Sequence, residues 1–467
     1  MNRIQNKFGT FFNEKIFRNL FVLWVLLFPF DANLLPVSIG FMTVYPSLFL
    51  LFFLLGYSFL GKPNEPFNKA DKLVILFFFI WAFYGIAWFP FVHDKKIAFY
   101  EIRVLILMAS TVWLLFRTKY LFGLKSFSDI LNKLSIFLFL LLTGFAFFEY
   151  FSGIHFAGKF TEKLWNIPAG NPTYSPVFLF DNPNTFLCYL FGFAILIFLT
   201  GRIAFNKWKH LSIIFILFFF SNAADSKFGR ISSYLLLTVW LISYLRTVDF
   251  GKTKKYAWWA AVAAAGLVFC FATKEIYKGP YWKDSEHYLI PSIHPAKTEN
   301  DKLFFYSSDS LVKQFGEKEV IKSFRDYQMR GTDWAVNIRK NLLKNGWYLT
   351  KQSRFMGVGP AQFRWYHQQK QVPYPTTTVD SPHDGLMEIL SQYGILILVP
   401  FLSILFYYWL TAFRINKKIS NYFILLTACY LILIIISDMS SAWLILNIGW
   451  LLIPVLLIAS SQQPDET

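Results

Sequence analysis

Cysteine is nearly absent. The 467-residue chain has three, Cys188, Cys270 and Cys429, each inside an apolar segment and none with a CxxC neighbour. That argues against a disulfide framework and against a zinc site. Acidic residues are also few, 28 Asp and Glu against 45 Lys and Arg, for a formal net charge of +17. In a chain this apolar the basic excess does not point to nucleic acid. Membrane proteins collect Lys and Arg in their cytoplasmic connections. The apolar run after Arg18 lacks a small-residue cleavage site, so it reads as a retained first span and not as a cleaved leader. The longest polar stretch contains no paired Asp and no His/Glu cluster at metal-ligand spacing. No metal and no other cofactor is expected.

Apolar surface is what the chain has in excess. Hydrophobic residues make up 55% of it, aromatics 21%, and Phe alone contributes 56 positions. The mean hydropathy is +0.42. A bilayer is the solvent that accommodates such a composition, at about 20 apolar residues per crossing helix. Counting on that length gives about twelve candidate spans. They are centred near Leu26, Phe49, Trp81, Met108, Leu140, Phe191, Phe215, Leu237, Ala264, Val399, Leu431 and Trp450. The expected fold class is an all-α polytopic membrane protein of about twelve transmembrane helices with one large extracytoplasmic loop containing amphipathic helices. Residues 1–273 would hold transmembrane helices 1–9 and 274–385 the loop. Residues 386–467 would hold helices 10–12 and a short cytoplasmic tail.

Orientation follows from the basic residues. With the N-terminus inside (Arg3, Lys7, Lys15, Arg18), alternate connections are also basic: Lys62, Lys69 and Lys72; Arg117, Lys119 and Lys125; Arg202, Lys207 and Lys209; Arg246, Lys252, Lys254 and Lys255; Arg414, Lys417 and Lys418. The alternation closes only if Lys274–Gly385 lies outside and both termini lie inside.

Within that loop, Glu275 to Gly316 is irregular and rich in Tyr, Trp, Pro and Lys. The remainder is more ordered. Val320, Ile321, Phe324 and Tyr327 recur at helical spacing, and Gly331-Thr332 breaks the run. A second helix, capped by Thr332 and carrying Trp334, Ile338 and Leu342, is expected to end near Asn345-Gly346. These amphipathic helices either lie along the membrane surface or pack on each other. The segment Phe355-Met356-Gly357-Val358-Gly359-Pro360 lacks the third glycine of a dinucleotide site and reads as a tight turn. The loop closes at Ser381-Pro382-His383-Asp384-Gly385. Ser381 suits an N-cap and Pro382 the first helical position, which would put His383 in the first turn of the next membrane helix. The positive end of a helix disfavours a second positive charge, so a neutral imidazole there can accept a proton. Asp380 and Asp384 bracket His383 and either orient it or simply favour the helix start. Within the fourth span, Glu101 and Arg103 are expected to face an interior cavity or each other.

Four segments together resemble the O-antigen ligase and polymerase superfamily of bacterial envelope glycosyltransferases. Asp181-Asn182-Pro183-Asn184 opens an apolar helix, similar to the family's Asn-Pro-Asn entry. Asp225-Ser226-Lys227 stands where the family has Ser-Arg. Arg330, Trp334 and Gly357-Val358-Gly359-Pro360 resemble its Arg…Trp…Gly-x-Gly stretch, and His383 through Leu386, Leu390 and Gly394 its His-x-x-x-Leu…Gly signature. The resemblance implies a metal-independent, inverting glycosyltransferase of the bacterial inner membrane. Its donor would be a polyprenyl-diphosphate-linked glycan. Its acceptor would be the lipid A core in a ligase, or a second lipid-linked glycan in a polymerase. It further implies His383 as the base and Arg330 as a diphosphate ligand. Lys227 or Arg230 would be the second cation, although Lys supplies a point charge where Arg supplies a planar fork. Arg103 is a further candidate for the lipid phosphate. Asp384, Asn184, Trp334, Gly357 and Gly359 have supporting places. A polysaccharide or lipid transporter is the competing reading. It lacks self-similar halves and a central pair of broken helices.

Overall fold

The computed structural model describes residues 13–27, 29–30, 37–39, 42–44, 46–61, 67–152, 183–200, 207–223, several helical positions between 229 and 240, 293–294, 304–305, 338–374, 376, 382 and 384–415. The first two helices are α1 (Glu14–Leu27) and α2 (Pro46–Ser58), joined through a short antiparallel ladder of β1 (Val37–Ile39) and β2 (Met42–Val44). Then come α3 (Lys69–Trp88), a 3-10 turn at Phe89–Phe91, α4 (Lys95–Phe122), α5 (Leu124–Ser152), α6 (Pro183–Thr200) and α7 (Lys207–Ala223). Two residue pairs, β3 (Ile293–His294) and β4 (Phe304–Phe305), form an antiparallel ladder within the polar loop. The chain continues with α8, whose described residues are 338–352, and with α9 (Gln362–Gln368), α10 (Gly385–Tyr393) and α11 (Ile395–Ile415). The protein is mainly helical and apolar, as a membrane protein requires.

Eight expected span centres (Leu26, Phe49, Trp81, Met108, Leu140, Phe191, Phe215 and Val399) fall inside these helices. Three helices among the described residues are long and apolar enough to cross a membrane: Lys69–Phe91, Lys95–Phe122 and Leu124–Phe151. Shorter apolar helices run Pro46–Ser58, Phe186–Phe198, Lys209–Ala223 and Ile395–Tyr407. The expected spans around Ala264, Leu431 and Trp450 lie outside the described residues.

The two faces of α3 show why water is the wrong solvent. Val74, Phe78, Trp81 and Ala82 turn into a continuous apolar core. Leu73, Leu76, Ile80 and Phe83, at spacings of three and four, are exposed. A helix apolar on both faces, with one of them uncovered, belongs in lipid. The core is dominated by rings: Trp24, Phe78, Phe116, Phe139, Phe186, Tyr189 and Phe191 are almost fully buried. Along it α3 packs on α4, α5 on α6, α1 on α2, and α11 on α3. Cys188 is buried in α6 and forms no disulfide.

Helix ends follow local chemistry. Asn68 caps α3 by accepting the Asp71 N–H at 2.6 Å, and Asp94 caps α4 by accepting the Ile97 N–H at 3.0 Å. At the start of α3, Lys119 forms a 3.0 Å ion pair with buried Asp71, and the Tyr120 hydroxyl donates to the same carboxylate oxygen. Arg117 donates to the carbonyls of Ser58 (2.9 Å) and Gly61 (2.6 Å), which closes the exit of α2. Two of the basic residues used to assign orientation are therefore also buried structural groups.

Candidate functional site

At the other end of the α3–α4 hairpin, the second half of the polar loop docks onto the helices. The chain leaves α8 at residue 352 through a tight turn in which Arg354 (φ 53°) and Phe355 (φ 64°) are left-handed. It then runs against the junction of α10 and α11. The Val358 N–H donates to the Ser391 carbonyl and the Gly359 N–H to the Gln392 carbonyl, both at 2.9 Å. The Ile395 N–H donates back to the Phe355 carbonyl at 3.0 Å. The glycines permit this contact. A Cβ on Gly357 (φ 87°) would stand 2.7 Å from the Gly394 nitrogen, and one on Gly394 2.7 Å from the Met356 carbonyl oxygen. Gly394, at φ 72° and ψ −172°, occupies backbone space that is essentially glycine's alone. So the Gly-x-Gly segment is a turn, as expected, and it is also half of a main-chain clasp whose other half is Gly394.

The clasp is tied to the α3–α4 connection. The Tyr84 hydroxyl donates to the Met356 carbonyl at 2.7 Å. Gln362, fully buried, accepts the His93 N–H at 2.9 Å through Oε1. The His93 ring stacks on Trp365 at 4.1 Å with 11° between planes. Residues 89–94 and 355–366 thus share one end of the α3–α4 hairpin.

Behind the clasp the loop has its own small core of Ile338, Leu342, Leu349 and Phe363. Asn345 binds the Tyr374 backbone twice, accepting its N–H at 3.0 Å and donating to its carbonyl at 2.8 Å. That orientation leaves the Asn345 amide nitrogen facing His367 Nε2 at 3.0 Å, while His367 Nδ1 faces the Phe363 carbonyl at 2.9 Å. A carbonyl only accepts, so Nδ1 carries the proton and Nε2 accepts: His367 is a neutral structural imidazole. The expected end of α8 near Asn345-Gly346 is corrected here, since the helix continues to 352. Gly346 is a packing residue and not a stop. A Cβ there would meet the Met387 sulfur of α10 at 2.6 Å. One row of α8 packs on the loop's own core, and another, with Leu343 and Trp347, is exposed.

The root of the loop also differs from expectation. The N-cap of the next helix is Asp384, whose carboxylate accepts the Met387 N–H at 2.8 Å, and helix α10 starts at Gly385. The Asp384 carboxylate also complements the positive end of the helix dipole. The expected cap at Ser381 is corrected by this, while His383 itself lies outside the described residues. Partial burial pushes the Asp384 carboxyl above the ordinary aspartate range, against the lowering effect of the Met387 and Leu386 N–H groups. The helix it starts is nine residues long and breaks at Gly394 before the apolar α11.

Comparison with known proteins bears on the family. Residues 211–402 match the family model described as O-antigen ligase, a stretch that takes in the clasp, the loop root and α10. Over that stretch the chain is similar to the O-antigen ligase family. It is also 23% identical over 358 residues to the teichuronic acid biosynthesis protein TuaE of Bacillus subtilis (strain 168), an alignment covering 75% of this chain. The chain spans 63% of the length of that curated relative.

Among the residues singled out for this superfamily, Gly357 and Gly359 meet the α10–α11 junction, and Asp384 caps α10. Asn184 lies in the first turn of α6. Arg230 is half-buried in a helical stretch, and Arg103 lies over the Tyr100 ring at 5.4 Å. Glu101 receives the Tyr393 hydroxyl of α10 at 3.1 Å. His383, Arg330, Lys227 and Trp334 lie outside the described residues. Sequence reading missed Gln362 and the pair Glu388–Gln392, in which the Gln392 amide donates to Glu388 Oε1 at 3.2 Å. The polar positions 384, 388 and 392, four residues apart, were the signal for the pair.

Proposed function

We propose that the protein is a membrane glycosyltransferase that moves a polyprenyl-diphosphate-linked polysaccharide onto an acceptor hydroxyl at the outer face of the bacterial inner membrane. In this reading about twelve helices cross the bilayer, the loop 274–385 lies outside and both termini lie inside. The observation that carries it is the O-antigen ligase match over residues 211–402, which includes the His383 root and the Gly357–Gly359 segment. Mechanistically, the His383 imidazole takes the acceptor proton as the hydroxyl oxygen attacks the anomeric carbon. The bond from that carbon to the diphosphate oxygen breaks, and the configuration inverts. The departing diphosphate is neutralised by Arg330 with Lys227 or Arg230, and Arg103 is a further candidate cation, because metal-independent chemistry leaves that work to guanidinium and ammonium groups. Asp384 supports His383 indirectly, by fixing where α10 begins.

The acceptor separates two readings. As a ligase the protein would use the lipid A core; as a repeat-unit polymerase it would use a second lipid-linked glycan. The relative is named for teichuronic acid biosynthesis and not for ligation, which keeps the polymerase reading in place. A deletion strain complemented with His383→Ala is expected to lack the long glycan. Normal glycan with the variant protein present would overturn the assignment. Loss of all long chains from the lipid A core indicates a ligase, and a single remaining repeat indicates a polymerase.

A further inference from the structure

Helix α8 and the turn after it carry an apolar patch that the loop's own core does not use. Leu343 and Trp347 are four residues apart on one face of α8, and the Trp347 ring meets Phe355 edge-on at 5.9 Å. Met356 follows in the chain. All four side chains are exposed, from 37% at Phe355 to 43% at Trp347 and Met356. The patch ends where the turn is bonded to two apolar helices. The Ile395 N–H of α11 donates to the Phe355 carbonyl, and the Tyr84 hydroxyl of α3 donates to the Met356 carbonyl. Beside those bonds both helices carry exposed apolar side chains: Phe83 is 70% exposed on α3, and Leu396 and Val399 are exposed on α11. The patch is therefore continuous with the surface that faces lipid. Tyr84 stands one turn before the end of α3 at Trp88, the place where Tyr and Trp mark the exit of a span from the hydrocarbon.

Charge selects the occupant. Residues 338–374 contain seven Lys and Arg and no Asp or Glu. Lys340, Lys344, Trp347 and Lys351 recur at three and four residues and so share a stripe of α8, with Arg354 just beyond it. All five are exposed. Lys351 lies over the Trp347 ring at 5.4 Å, so ammonium and indole stand together at the edge of the patch. Apolar side chains bordered by tryptophan and then by cations match the layers at the edge of a bilayer: hydrocarbon, headgroup zone, anionic phosphate. An acidic protein or an acidic glycan would account for the cations. Neither would account for the continuity with the lipid-facing sides of α3 and α11.

We infer that α8 and the turn at 353–356 are a membrane-docking surface for anionic phospholipid, with Phe355 and Met356 in the edge of the hydrocarbon and Lys344, Lys351 and Arg354 on the lipid phosphates. The surface is separate from the chemistry at His383 and holds the loop against the bilayer. The test uses the full chain in nanodiscs of phosphatidylcholine alone and of phosphatidylcholine mixed with phosphatidylglycerol. A spin label is placed at Met356→Cys, with the three native cysteines changed to Ala, and a second at Phe83→Cys sets the lipid-facing standard. The label at 356 is expected to match that standard, colliding more with oxygen than with a water-soluble nickel chelate. The triple variant Lys344→Gln, Lys351→Gln, Arg354→Gln should keep its melting midpoint in detergent and retain at least about fivefold less phosphatidylglycerol in native mass spectrometry. A water-exposed label at 356 overturns the docking surface, and so does undiminished phosphatidylglycerol on the triple variant. A water-exposed label together with binding of soluble polygalacturonate overturns it in favour of a glycan platform. The label experiment decides the matter if the triple variant does not fold. None of these readouts depends on whether His383→Ala cells make glycan, so failure here and failure of the glycosyl-transfer reading are distinguishable.

Discussion

The two ends of the α3–α4 hairpin are held together by different physics. At one end, charges are buried and matched: Asp71 with Lys119 and Tyr120, and Arg117 with the carbonyls of Ser58 and Gly61. At the other, the main chain of 355–359 lies against 391–395, helped by Gln362, Tyr84 and a His93–Trp365 stack. Charge pairing closes the first end and leaves little polar surface free. Backbone pairing through glycine fixes the second end with few charged side chains. One end is thus closed by ions and the other by glycine contacts.

Substitutions can separate these modes. The largest effect is expected from Lys119→Met, which strands the Asp71 carboxylate. Removing one partner of a buried pair costs about 3–5 kcal/mol. It should appear as a large drop in the melting midpoint in detergent, and Asp71→Leu added to it should recover most of the loss. An undiminished midpoint in the single variant would show that the pair does not hold this end. Gly394→Ala comes next. It forces a side chain into glycine-only backbone space at about 1–3 kcal/mol and against the Met356 carbonyl. The expected signature is faster proteolysis between 353 and 361, with loss of glycan synthesis and a smaller midpoint change than Lys119→Met. Equal protease resistance would break the clasp argument. Gln362→Leu removes acceptance from the His93 N–H, at about 1 kcal/mol, and should loosen the loop from residues 89–94 in hydrogen exchange while α4 stays protected.

The smallest effect concerns pH. The Asp384 carboxyl is raised in the folded state, so its protonated form is favoured by folding. Its contribution to stability is complete below the ordinary aspartate range and is lost as pH rises through the higher folded value. Asp384→Asn keeps a capping side chain and should flatten that part of the stability–pH curve. An unchanged curve would show that Asp384 is not its source.

Much of this was visible in the chain itself. Apolar runs placed the helices around Trp81, Met108 and Leu140, because a bilayer-length run of Phe and Leu has few alternatives to a buried or lipid-facing helix. The glycine turn at 357–359 was visible too. The role of Gly394 was not, since a lone glycine before an apolar run looks like any helix boundary until its partner is seen at contact distance. The cap at Asp384 was misplaced to Ser381 because Ser-Pro and Asp-Gly both start helices, and local preference does not rank them. Asn345-Gly346 looked like a stop for the same reason. Packing against Met387 explains why a glycine persists within the helix.

Composition and periodicity therefore set the solvent, the helical class and the order of the motifs, because each depends on transfer free energies and on neighbours a few residues away. The pairings across long separations came only with the folded chain: Tyr393 with Glu101, His93 with Gln362, and Gly357 with Gly394. Their energies exist only once distant helices are side by side, and no local rule selects which acceptor a given donor will meet.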